Sequence, residues 1–538
     1  MSTPTHVPLL ARVREWVGSR PDLVTVVFVA SLVVGSALRV VGLTWGLPVG
    51  LHPDEPVIVT GALDLAQRNS FEPKYFMRPD HVEIQLSYLA YELYSHLFAH
   101  TGVEKAYAAS PGTFLLISRA VTAVFGIATI VLAYLIGRRF DRRVGAMAAL
   151  LFALTSLLVR DAHYATPDIP LTCMLMVVVL ALMHYLSRPG LAPLLVACAA
   201  TSVGTAIKYP ALVATLMIAV VVVVAAAREH RLRRVLTHGA VSLAAVIGFL
   251  FVVSPVLFTN FAAVREQLAG QSGANHPGAD GLGYLGNLVF YAGNFLTDAG
   301  LLLSLACLVG VVAAVRHRVL EAVPLALGAV YWVVLSAVPL HWDRWGIPMF
   351  ITPLFLAPIG LLHAYEWAGA QRWRTPVAWV VGTLVVANLL AAAIARVSTL
   401  AAPDTRLEAR SYLAQQGITT ADASYEGYSP LRPGSTRTVF DDFETVDGRL
   451  EPVSRHVRYL VLSSCTYNRY FRDPGHPEER AFYAAVRRSF TLLRSYTHVP
   501  TLRRSGVEVV DIVRSVRQSL DYLGGGRAGC DLEIYRTD

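Results

Sequence analysis

Apolar runs of about 20 residues, the length an α-helix needs to cross a bilayer, recur along this chain and leave few folds open to it. They lie near residues 23–43, 113–136, 144–159, 168–186, 191–207, 210–227, 238–259, 285–315, 319–339, 347–365 and 376–395. By the hydropathy criterion this gives about eleven transmembrane helices and an all-α polytopic membrane domain over residues 1–395. Only 16% of the residues are charged, against roughly 25% in soluble domains. The first run, Leu23 to Leu43, exceeds the roughly 7–15-residue core of a cleaved signal and reads as a retained span. Pro210 leaves little room for a turn between the fifth and sixth runs.

The net charge of +8 does not point to nucleic acid, because the basic residues sit in short loops between apolar runs. Arg12, Arg14 and Arg20 precede the first run. Arg138, Arg139, Arg142, Arg143, Arg188, Arg228, Arg231, Arg233, Arg234, Arg316, Arg318, Arg372 and Arg374 fall in alternate loops on the same side. The opposite short loops hold only Arg160, Lys208, Arg265 and Arg344. The positive-inside rule then puts the N-terminus in the cytoplasm and the C-terminus outside a plasma (inner) membrane, and it favours an odd number of spans.

Two extracytoplasmic segments are long. Residues 44–112 form a first outer loop containing an amphipathic stretch, Glu83 to Phe98, with Ile84, Tyr88, Tyr91 and Tyr94 near one face. It reads either as an interfacial helix with its aromatics at headgroup depth or as a scaffold helix. Residues 396–538 have the composition of a small soluble α/β domain. Helices are expected over Arg406–Gln416 and Glu478–Phe490, and strands over Arg458–Ser463 and Leu532–Tyr535. Cys465 and Cys530 each adjoin one of these strands. Neighbouring strands would bring them within disulfide reach, and two unpaired thiols are the other reading. Cys173, Cys198 and Cys307 lie in apolar runs and read as packing residues.

Candidate chemistry collects on the outer side. Leu51-His52-Pro53-Asp54-Glu55-Pro56 holds two adjacent carboxylates in a backbone that prolines keep from being helical. One could abstract a proton while the other binds a metal or orients an acceptor; a solvated loop tip is the alternative. Arg160-Asp161-Ala162-His163-Tyr164-Ala165-Thr166-Pro167-Asp168 joins the third and fourth runs. Asp168 opens a helix, where it either caps free N–H groups or binds a cation or a sugar hydroxyl. Arg119, Lys208 and Arg344 sit at outer membrane ends, where such groups suit phosphate oxygens or structural ion pairs.

In this order and on one membrane side, these motifs resemble the GT-C class of glycosyltransferases. The likeness is closest to protein O-mannosyltransferases and aminoarabinose transferases (glycosyltransferase family 39-like). It is carried by Asp54-Glu55, Ile117-Ser118-Arg119-Ala120 before Phe125-Gly126, and Tyr164…Pro167-Asp168. Gly204…Lys208-Tyr209, Asp343-Arg344-Trp345 and Asp404-Thr405-Arg406 complete it. The resemblance implies inverting transfer of a sugar from a polyprenyl-phosphate donor to a glycan, lipid or protein acceptor of the cell envelope. It makes Asp54 the general base, assisted by Glu55, and Asp168, Arg119, Lys208, Tyr209, Arg344 and His163 substrate-binding residues. Glu55, Asp168, His81 and Glu83 are the implied ligands of a divalent cation (Mg, Mn or Ca). The sequence departs from the class where Pro79-Asp80-His81-Val82-Glu83 replaces a His-Pro-Pro-Leu-like stretch. Two other readings compete: a transporter or flippase for an anionic lipid-linked substrate, and a non-catalytic scaffold for the C-terminal domain.

Overall fold

The computed structural model describes residues 22–271, 281–369, 374–432, 437–472 and 475–538. The tail with Arg12, Arg14 and Arg20, and also Arg372, lies outside these. Each apolar run has become helix. Among the described residues seven helices are long and apolar enough to cross a membrane: Leu23–Val40, Pro111–Gly137, Asp168–Ser187, Tyr209–Arg228, Arg233–Val253, Asp343–Trp367 and Pro376–Ala401. Leu191–Ile207 and Leu320–Leu335 are shorter apolar helices.

The long run 285–315 is not one straight span. It breaks into Gly283–Ala299 and Leu301–Arg316, bent by 114°. Gly300 makes the corner at φ +94°, a backbone region that glycine enters without a Cβ penalty. The tight turn at Pro210 is also explained. Lys208 is a single extended residue after Leu191–Ile207, and the chain re-enters helix through a 3₁₀ turn, Tyr209–Val213.

The bundle sorts its loops by charge. At one end Arg142 pairs with Asp22, Arg143 with Glu366, and Arg139 donates to Ser187. At the other end the first outer loop folds into helices Glu55–Arg68, His81–Tyr94 and Val103–Ala109. Ile84, Tyr88 and Tyr91 turn inward, against Ile58, Ala62 and Phe114. The expectation of aromatics at headgroup depth is therefore corrected: the exposed face of this helix carries Leu89 and Leu93 instead.

The last long helix runs on to Ala401, and the sheet domain begins at Asp404, whose side chain accepts from the Arg406 backbone N–H at the start of Thr405–Gln415. Strands β1 (Ala423–Tyr425), β2 (Phe443–Val446), β3 (Arg449–Pro452), β4 (Tyr459–Ser463), β5 (Thr491–Tyr496) and β6 (Leu532–Arg536) follow. β2 and β3 form a hairpin; the other four order as β1-β4-β6-β5, with β1 parallel to β4 and the remaining pairs antiparallel. Cys465, in the helix after β4, and Cys530, before β6, are joined in a disulfide with Cα atoms 5.6 Å apart.

Candidate active site

Asp54 and Glu55 occupy opposite sides of one helix start. Pro56 near that start fits the first turn, where its missing N–H is no loss. Glu55 points into the protein and is 1% exposed. Its two oxygens take Arg119 Nε at 2.7 Å and Nη2 at 2.8 Å, and Oε1 also accepts the Ala165 N–H at 3.1 Å. Arg119 spends its remaining donor on the Leu43 and Trp45 carbonyls. This pair pins the first outer loop to the Pro111–Gly137 helix and leaves neither residue free for metal or phosphate.

Asp54 faces the other way. Its carboxylate contacts Arg344 and lies 3.3 Å from Arg78 Nη1. Burial alone would push this acid up, but Arg78, Arg344 and His52 outweigh it and hold it far below the usual carboxylate range. Arg344 continues the chain of charge. Its Nε is 3.9 Å from Asp168 Oδ2, and Lys208 Nζ donates to Asp168 Oδ1 at 2.7 Å. Lys208 also sits 4.9 Å above the Trp345 ring. Asp54, Arg344, Asp168 and Lys208 thus form one contiguous network from four separate connecting segments, with Asp168 buried inside it rather than facing bulk solvent.

A second layer surrounds it, of which Arg78 and Asp80 were not identified from sequence. Asp80, in a left-handed conformation that aspartate tolerates, accepts from Arg78 Nε at 2.8 Å. Burial outweighs Arg78 and pushes its carboxyl up to about 6. Glu83 is buried, one oxygen accepting from Thr122 at 3.2 Å and the other without a hydrogen-bond partner. Burial, then the charges of Asp80 and Asp168, push it well above the usual range. Arg160 forks onto Asp343 at 2.7 and 3.2 Å and donates to Asp161 at 2.9 Å. The available signal was Arg78-Pro79-Asp80, a charged pair flanking proline in the same loop as Asp54.

Other expected site residues lie elsewhere. His163 has its two ring nitrogens at 2.8 Å from the Val159 and Val41 carbonyls. Tyr209 donates to the Phe76 carbonyl at 2.9 Å. His81 sits between Ser254 and the Tyr75 carbonyl. These three secure loops. Of the implied ligands, Glu55, Asp168 and His81 are each committed to different protein partners, Glu83 keeps one oxygen without a hydrogen-bond partner, and among the described residues no cluster of three His, Cys, Asp or Glu side chains could hold a metal ion. The expected cation set does not fit this geometry.

Beside the network an open cavity of about 1490 Å³ separates the helical bundle from the C-terminal domain. Asp343, Trp342 and Arg396 line its bundle side, and Arg469, His498 and Gln518 are among the residues of the other wall. Asp54 and Asp168 are not among the residues that line it. Carboxylates grouped at the bundle next to a cavity favour an enzyme over a scaffold.

Residues 115–258 match the model of the family described as dolichyl-phosphate-mannose-protein mannosyltransferase. The oligosaccharyltransferase of Archaeoglobus fulgidus, solved with zinc and sulfate, superposes with a TM-score of 0.50 at 11% identity, over 90% of this chain and 73% of that one. ArnT of Cupriavidus metallidurans bound to undecaprenyl phosphate gives a TM-score of 0.43 at 17% identity, over 73% of this chain and 72% of that one. No curated protein sequence matches. The matched segment is that of a GT-C glycosyltransferase family, and the chain as a whole has the GT-C fold.

Proposed function

We propose that this GT-C membrane protein transfers a sugar from a polyprenyl-phosphate donor to a hydroxyl acceptor on the extracytoplasmic side, by single displacement with inversion. The observation that carries the proposal is Arg344, one guanidinium in contact with Asp54 and, more loosely, with Asp168. The family matched by residues 115–258 is named for a dolichyl-phosphate-linked sugar, which supplies the donor class.

The acceptor oxygen attacks the anomeric carbon as the bond from that carbon to the phosphate oxygen breaks. The acceptor proton passes to Asp54. The electron pair leaves on the phosphate, and in this reading Arg344 and Lys208 meet its growing charge. The same contacts explain how a weakly basic carboxylate could act. A donor phosphate competes with Asp54 for Arg344 and with Asp168 for Lys208. Once Arg344 turns to phosphate, Asp54 loses one of the cations that depress its basicity and keeps Arg78 beside it. Donor binding thereby arms the base.

Vesicles containing the protein, supplied with radiolabelled polyprenyl-phosphate sugar and envelope extract, should release polyprenyl phosphate and label an acceptor. Arg344→Ala should abolish both. Labelling that survives Arg344→Ala would remove the phosphate-clamp role and the proposal with it.

A further inference from the structure

The helix Glu508–Leu523, between β5 and β6 of the C-terminal domain, is amphipathic the wrong way round for a helix in water. Its buried face carries Glu508, Asp511, Ser515, Gln518, Ser519 and Tyr522. Its exposed face carries Val509, Val513, Val516, Leu520 and Leu523, from 48% to 80% accessible. These five recur at helical spacing and form one stripe; Arg517 and Asp521 flank it.

Its position explains the inversion. The chain before it descends along the last long helix. Arg504 donates to Asn388 at 2.8 Å and to the Thr297 carbonyl at 2.7 Å. Asn388 is at the middle of the apolar stretch Pro376–Ala401, about 20 Å before its end at 1.5 Å per residue. There the Leu301 N–H donates to the Gly506 carbonyl at 2.7 Å, and Glu508 accepts the Leu302 N–H at 2.6 Å. Glu508 thus caps the membrane helix that restarts after Gly300. Helix Glu508–Leu523, about 24 Å long, then packs lengthwise against Arg374–Ala401. The chain returns to the Ala401 end, where Ala528 donates to the Pro403 carbonyl. On its inner side Arg514, Ser515 and Gln518 line the cavity.

We infer that Glu508–Leu523 is a re-entrant helix seated in the bilayer leaflet facing the C-terminal domain. Its valine and leucine stripe lies against acyl chains, and its polar face walls the cavity off from lipid. The stripe continues the lipid-facing surface of its neighbours, where Ile394 and Leu305 are also exposed. Buried polar groups at this depth are tolerated because each faces protein or cavity. The inference rests on the helical bundle being in a membrane, not on the catalytic assignment.

The test is bimane fluorescence at Val513→Cys, Val516→Cys and Leu520→Cys in the full chain, reconstituted in phosphatidylcholine vesicles and corrected for labelling of the unsubstituted protein. Brominated phosphatidylcholine should quench all three as strongly as it quenches bimane at Leu308→Cys on the Leu301–Arg316 helix. Aqueous iodide should reach Asp521→Cys and not these three. Iodide quenching at the three positions would put the stripe in water. Shielding from both quenchers would put it against protein. Either result overturns the inference without bearing on transferase activity.

Discussion

Removing one half of a buried ion pair strands the other charge, at a typical cost of about 3–5 kcal/mol. Glu55 and Arg119 are both buried and bidentate, so Glu55→Gln should lower folding yield and thermal stability by that order. A metal-ligand role would instead predict a stable protein with altered cation dependence, and thermal unfolding in detergent separates the two. In the C-terminal domain, Glu426 is buried between the Ser463 N–H and the Tyr483 hydroxyl, and burial pushes its carboxyl up to about 8. The folded state therefore binds the extra proton between the unfolded value of about 4.3 and about 8. Stability should fall as pH rises through that window and level off above it. Glu426→Gln can accept from the Ser463 N–H and donate its amide to the Tyr483 hydroxyl, and it should flatten the dependence, read as unfolding midpoints against pH. At this scale the sequence singled out Asp54, Asp168, Lys208 and Arg344, which the fold brings together, because charge at a membrane end is costly and conspicuous. It could not separate Asp54 from Glu55. Adjacent residues at a helix start face opposite ways, and only the fold shows which one meets Arg119.

Helices Leu301–Arg316 and Ile351–Gly369 touch backbone to backbone. A Cβ added at Gly310 would overlap the Leu356 carbonyl, and one at Gly360 the Ala306 carbonyl. Small residues at such crossings let membrane helices approach closely. Gly310→Ala or Gly360→Ala should each cost at least about 1–3 kcal/mol by overpacking, seen as a lower unfolding temperature in detergent. Elements with a strong period were legible: every apolar run is helical, and β4 and β6 fall within a residue of expectation. The break at Gly300 was not, since an apolar run is equally apolar on both sides of a corner. Helix Glu508–Leu523 escaped for a related reason. Its polar residues face inward, so the pattern did not look like a helix of a soluble domain. β1 is three residues long and too short to carry a period.

For the whole molecule, alternating loop charge implies one orientation, and the structure gathers those loops at opposite ends of the bundle. Cysteines placed at 228–234 should stay unlabelled by an impermeant maleimide in intact cells, while one at Val453, exposed in the C-terminal domain, should react. Labelling at 228–234 would reverse the orientation. The Cys465–Cys530 disulfide was foreseeable from strands bracketing two cysteines. The part that Arg78 and Asp80 play in the charge network was not, because their pairing with Asp54, and its link through Arg344 to Asp168, form only when separate loops meet on folding. What this network is for is tested most directly at Asp54. Asparagine keeps its shape and cannot take a proton. In a single-turnover assay with polyprenyl-phosphate sugar and labelled acceptor, Asp54→Asn should slow transfer by about 10²–10⁴-fold while donor binding stays within a small factor of wild type. A folded Asp54→Asn protein that transfers at the wild-type rate would contradict the account.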